Sequence, residues 1–276
     1  MTTEPSSSSS RPRLRSRWRL ISRGHLILAL GLLLCYGFFR QHPLWNEFSR
    51  YDLVQALVDT GSPIIDAYHE NTGDKAFYDG HYYSDKAPGS ALLGVPVELA
   101  LRAGYALIGA PPPVPDASMH ALAFAISGIP TVVLVLLMLR FLQPAVGRRW
   151  ALAVALGYAL GSMAFPFATM FFGHAASTAF LFTSFYLVWR WRDDQADWRL
   201  VIAGAFAGLA VMTEIPVVLG AAIVGAYALW MARRRALLFV VGGLPSLAAL
   251  LAYNTIAFDN PLSLGYQYAT GFAEQN

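Results

Sequence analysis

The sequence predicts an all-α polytopic membrane protein with about seven transmembrane helices and a large extracytoplasmic first loop carrying juxtamembrane helices. Three observations predict it. Of 276 residues, 56% are hydrophobic and only 13% charged, against about 25% charged in a typical soluble domain. The apolar residues gather in runs of helical length, and the ~10-residue alternating segments of a β-barrel are absent. The polar residues concentrate in one stretch, 41–87, which reads QHPLWNEFSRYDLVQALVDTGSPIIDAYHENTGDKAFYDGHYYSDKA. Residues 41–116 hold ten of the seventeen carboxylates and both lysines, Lys75 and Lys86. A membrane protein that collects its ionisable groups in one loop does its chemistry or binding there. The formal charge of +3 is no nucleic-acid signal, because the arginines lie in short clusters between apolar runs. The single Cys35 excludes an internal disulfide and a multi-cysteine metal site and reads as packing.

Taken in order, residues 1–23 are Ser-rich and then Arg-rich, a disordered basic arm kept cytoplasmic by the positive-inside rule. The run 24–39 lacks a small-x-small cleavage pattern after it and reads as an uncleaved first span. In the loop, 49–60 reads as a short amphipathic helix. Ser49 caps it with Asp52 three residues on, and Gly61 ends it. Asp79-Gly80, flanked by Phe77-Tyr78 and Tyr82-Tyr83, signals a small hairpin. Segment 88–109 is apolar enough to span, yet it carries Glu98 and Arg102 at i,i+4 with Pro96 inside. It is assigned to a helix lying on the outer membrane surface. After the rigid break 111–115, with Asp116 or Ser118 as cap, spans are expected at 117–142, 150–166, 172–191, 200–213, 215–232 and 236–257. With seven spans, Arg148-Arg149, the group Arg190, Arg192 and Arg199, and Arg233-Arg234-Arg235 all fall on the side of the basic arm, and the tail 258–276 falls outside.

That topology brings specific side chains to the outer face. Glu47 lies just beyond the first span, Arg50 one turn later, Asp85 and Lys86 at the end of the loop, His174 at the start of the fourth span and Glu214 at the turn after the fifth. Ionisable groups at a membrane boundary are costly unless paired or wetted, which makes each a candidate. Carboxylate-rich loops can hold divalent cations. No spacing here matches an EF-hand or an HExxH site, so no metal ligands are assigned, and Mg²⁺ or Mn²⁺ stays open as a cofactor.

The ordered set Asn46-Glu47-Phe-Ser-Arg50-Tyr51, then Asp85-Lys86-Ala87-Pro88, resembles the first outer loop of the GT-C superfamily of membrane glycosyltransferases, in its protein mannosyltransferase and aminoarabinose transferase-like branches. The segments TGDKAFYDGHYYSDKAPG and YNTIAFDNPLSLGYQY are similar to a bacterial subgroup, and the likeness covers roughly 40–270. The resemblance implies a transferase in the bacterial inner membrane. It would move a sugar from a polyprenyl-phosphate donor to a lipid, glycan or protein on the outer face. It places the catalytic carboxylate at Glu47 and substrate contacts at Arg50 and Lys86, with Asn46 standing where the family has a second carboxylate. Asp85, His174 and Glu214 complete the substrate-binding candidates. Family members are longer and carry further spans, so a short or truncated member, acting as a non-catalytic scaffold or partner subunit, is the alternative. A transporter fits less well, since the spans after 117 are nearly free of charge and show no repeat.

Overall fold

The computed structural model describes residues 23–270; the basic arm, apart from Arg23, and the last six residues of the tail lie outside them. Helix dominates, with one two-stranded hairpin among the described residues. Helix α1 (Arg23–Phe38) presents Leu26, Ile27, Leu30 and Leu34 outward and buries Leu32 and Tyr36. Helix α2 (Trp45–Thr60) begins four residues before the expected cap. Its first turn is closed by Glu47, whose Oε2 accepts the Leu44 N–H at 2.9 Å, the carboxylate half of a capping box. Ser49, expected as the cap, lies inside the helix and faces Ser84 at 2.8 Å instead. The helix ends at Gly61, in the left-handed region at φ 70°, as glycine permits.

Strands β1 (Lys75–Tyr78) and β2 (His81–Ser84) pair antiparallel across Asp79 and Gly80, both at positive φ, the geometry of a primed two-residue turn. Helix α3 (Gly89–Leu107) buries Glu98 and pairs it with Arg102 at 2.8 Å; Arg102 also pairs with Asp59 of α2. Helix α4 (Pro115–Leu122) opens with proline in its first turn and no side-chain cap. Ser118, expected as a cap alongside Asp116, donates to Glu98 at 3.2 Å. One turn of π-helix (Ala123–Gly128) leads into α5 (Ile129–Gly161), which breaks at Gly147, φ 77°. Leu139 before the break and Ala151 after it share one apolar cluster with Leu32 and Tyr36 of α1, so the chain folds back on itself there. Short α6 (Ala164–Ala168) precedes α7 (Gly173–Asp194), α8 (Trp198–Thr213), α9 (Val218–Ala232) and α10 (Leu237–Phe258). Helices α8 and α10 cross so closely that a Cβ on Gly204 would strike the Phe239 carbonyl oxygen.

Among the described residues, three helices are long and apolar enough to cross a membrane: Gly89–Leu107, Pro115–Gly161 and Ile215–Phe258. The last two are 47 and 44 residues long, about twice a span, and turn near Gly147 and Arg233. Helices α1 and α8, at 16 residues each, are apolar but short. Helix α7 is long enough, but Gly173, His174, Ser177, Thr178, Thr183 and Ser184 dilute its apolar content.

Polar contacts segregate to two ends. At one, His120 Nε2 meets the Gly37 carbonyl at 2.9 Å, Gln41 donates to Thr169 at 2.7 Å, and the loop helices pack. At the other, Arg190 pairs with Asp193, Arg199 with Asp194 and Arg235 with Asp197.

Candidate functional site

Three pieces occupy the loop end. The first is a pocket of about 230 Å³, lined by Arg40, His42, Glu47, Asp116, His120 and Thr169 among others. It forms because the residues leaving α1 meet the start of α4 and the segment before α7. His120 is pinned to Gly37, and Gln41 to Pro166 and Thr169. Glu47 is 4% exposed. Its Oε1 accepts the Phe171 N–H at 3.3 Å while Oε2 holds Leu44. Burial pushes its carboxyl above the ordinary range, against those two N–H donors. A carboxylate has about four acceptor positions, so two backbone bonds leave Glu47 able to accept from a further hydroxyl.

The second piece is centred on Arg50, 1% exposed. Its guanidinium donates to Asn46 Oδ1 at 3.0 Å, to the Ala87 carbonyl at 3.3 Å and to Glu214 Oε1 at 2.8 Å. The same Glu214 oxygen lies 3.3 Å from His174 Nδ1. Burial alone would raise the Glu214 carboxyl, but His174 and the Arg50 charge outweigh it and hold the group below its usual value. Gly173 makes the approach feasible, since a Cβ there would collide with the Glu214 carboxylate.

The third piece is the Lys86 ammonium, held by Asp74 at 2.9 Å and Asp85 at 3.0 Å, with the Tyr266 ring centre 5.7 Å away. Burial raises the Asp85 carboxyl despite Lys86; burial would lower Lys86, but its two carboxylates more than offset that and raise it. Asp85 and Lys86 line a much smaller groove, about 10 Å³, with Ile215, Tyr253, Asn254 and Tyr266.

The nominated residues therefore do not share one cavity. Glu47 opens on the pocket, Asp85 and Lys86 on the groove, and Arg50 and Glu214 are buried between α2, the Ala87 carbonyl and the α7 and α8 termini. Arg50 joins Glu214 to the Ala87 carbonyl beside Lys86, while Glu47 is held separately by the Leu44 and Phe171 amides. Arg50 and Lys86, expected as substrate cations, are already engaged by protein acceptors. The basic groups at the pocket are Arg40, His42 and His120, which the sequence reading passed over. Arg40 and His42 directly follow the first apolar run, and two basic residues at that boundary were the available signal. His120 and Asp116 gave none, since only folding brings α4 to the end of α1. No group of three or more His, Cys, Asp or Glu placed to hold a metal ion occurs among the described residues. Comparison of the chain with protein-family models, curated proteins and solved structures finds no match.

Proposed function

We propose that this chain is a multi-pass membrane glycosyltransferase that moves a sugar from a polyprenyl-phosphate donor to a lipid, glycan or protein acceptor at the outer membrane surface. The observation that carries the reading is the Glu47 pocket: a buried carboxylate beside Arg40, His42 and His120, at the point where the apolar helix α1 gives way to the polar loop. A lipid-linked phosphate sits at that depth, and cations beside it offset charge on the leaving group. The sequence resemblance around Glu47 and Arg50 supports the same reading.

In the reaction, the acceptor hydroxyl oxygen bonds to the anomeric carbon and its proton passes to Glu47. The bond from that carbon to the phosphate oxygen breaks, and its electron pair leaves with polyprenyl phosphate. Arg40 and His42 face the charge that develops there. In this reading the chain crosses the membrane seven times, with Gly147 and Arg233 at turns between spans and α3 lying along the outer surface. Support comes from the arginine-rich pairs gathering at the end opposite the pocket, as the positive-inside rule requires for a cytoplasmic N-terminus.

The test is transfer from a panel of radiolabelled polyprenyl-phosphate sugars in membranes expressing the chain, wild type beside Glu47→Gln. The expected result is transfer in the wild type and a fall of about 100-fold or more in the variant, the usual scale for losing a general base. No transfer with any donor, from protein shown to be folded and inserted, would sink the proposal. One observation favours a second reading, a non-catalytic scaffold or partner subunit: both Arg50 and Lys86 are consumed by internal ion pairs.

A further inference from the structure

The arginine end of the molecule is not uniform. Where α7, α8 and α9 meet, carboxylates answer the cations: Asp193 pairs with Arg190, Asp194 with Arg199 and Asp197 with Arg235. The corner built by α1 and α5 lacks them. Residues 23–46 and 117–192 contain no Asp or Glu. Yet α5 carries Arg140, Arg148 and Arg149, and none of the three is in an ion pair among the described residues.

Packing brings these cations to one place. Leu28 and Ala29 of α1 share an apolar cluster with Leu139, Leu142, Ala151 and Leu152 of α5. The start of α1 therefore lies beside the turn at Gly147. Arg140 and Arg148 are both close enough to act electrostatically on His25. The turn is exposed from Gln143 to Trp150, with Arg148 and Arg149 in it and the Trp150 indole beside them. Apolar side chains continue from there: Leu26, Ile27 and Leu30 of α1 and Val154 of α5 are exposed, within two helical turns of Arg23 or Arg149. Like charges gathered without a counter-charge repel one another, and an outside anion relieves that. The apolar residues beneath them suit hydrocarbon.

We propose that the α1–α5 corner binds one anionic glycerophospholipid, its phosphodiester held by Arg148 and Arg149 with Arg140 behind them, its acyl chains lying along the exposed apolar residues of α1 and α5. Guanidinium groups match phosphate oxygens in charge and in bidentate geometry. Trp150 stands where indole rings are favoured, between headgroups and acyl chains. A free phosphate ion would meet the cations and leave the apolar residues bare. A zwitterionic lipid brings its own ammonium, which cancels the attraction. The site requires this end of the chain to meet a membrane; it does not require the chain to move a sugar. A chain that holds the lipid and transfers nothing leaves the site standing, and an active chain without lipid preference removes only the site.

The test titrates the full chain in nonionic detergent micelles with dioleoylphosphatidylglycerol, dioleoylphosphatidylcholine or inorganic phosphate, and counts bound molecules by native mass spectrometry. The wild type is expected to retain one phosphatidylglycerol at levels where phosphatidylcholine adds none. At about fivefold for each cation beside an anionic lipid, Arg148→Gln with Arg149→Gln should weaken that first step about 25-fold. Arg233→Gln with Arg234→Gln removes the same charge from the side that carries Asp197 and should leave the step nearly unchanged. All four positions are exposed, so both double variants should unfold at the wild-type temperature in lipid-free detergent, which separates lost binding from lost structure. Equal losses in the two double variants would overturn the proposal in favour of a diffuse field. Equal uptake of the two lipids by the wild type would also overturn it, as would inorganic phosphate displacing the lipid at matched concentration.

Discussion

At the scale of single residues, buried charge sets the strongest constraints. Arg50 is enclosed and satisfied by three acceptors, one of them charged. Removing that partner leaves a guanidinium without its counter-charge in a dry site, which costs about 3–5 kcal/mol. Glu214→Ala should therefore lower the unfolding temperature in detergent well below that of His174→Ala, which touches the same oxygen from the exposed side. Equal thermal stability of the two variants would contradict this. Asp52 makes a second case. It is wholly buried on α2, with Oδ1 bound to Asn71 and Oδ2 without a partner among the described residues. Burial pushes its carboxyl up from 3.8 to about 7, against Asn71 and Lys75. The folded chain then keeps a proton that the unfolded chain releases. Stability is fullest below the unfolded value and declines as pH rises towards the folded one, by about 1.4 kcal/mol per unit at most. Asp52→Asn should flatten that slope: its unfolding temperature changes less than the wild type's between about pH 5 and pH 8, and parallel curves would refute the assignment.

Among elements, local signals located most of the structure. The Asp79-Gly80 hairpin and the Gly61 helix stop rest on backbone conformations that few residues adopt, so sequence reveals them. The start of α2 was misplaced for a physical reason. Ser49 and Glu47 both suit a helix N-terminus, and the choice fell to Glu47 because Ser49 is drawn into a long-range contact with Ser84 and Asp85. The α8–α10 crossing depends on glycine at 204, where the opposing backbone leaves no room for a side chain. Gly204→Leu should force these helices apart, and the variant should lose thermal stability by more than the roughly 1–3 kcal/mol of ordinary overpacking. A wild-type melting profile would show that the helices separate without cost.

The whole molecule has two chemically distinct ends, one of loop helices and buried carboxylates, the other of arginines paired with Asp193, Asp194 and Asp197. If the chain crosses the membrane as proposed, single cysteines placed in a Cys35→Ala background at Gly80 and at Gln195 should react with an impermeant maleimide from opposite faces of oriented vesicles. Labelling of both from one face would break the topology. Position 100 on α3 discriminates further. A cysteine there should react from the outer face if α3 lies along the surface, and resist if it spans, as its length and composition allow.

Composition and the spacing of apolar runs by themselves determined that this chain is helical, apolar and polarised, because hydrophobic burial and backbone hydrogen bonding act on every residue alike. They also singled out the loop 41–87 and the residues Glu47, Arg50, Asp85, Lys86, His174 and Glu214. Only the tertiary structure decided how those residues divide. It enclosed Arg50 with Glu214, spent Lys86 on two aspartates, and left Glu47 beside Arg40, His42 and His120. The Arg50–Glu214 pair joins positions 164 residues apart, and no local pattern in the sequence records which charge will find that partner once the helices pack.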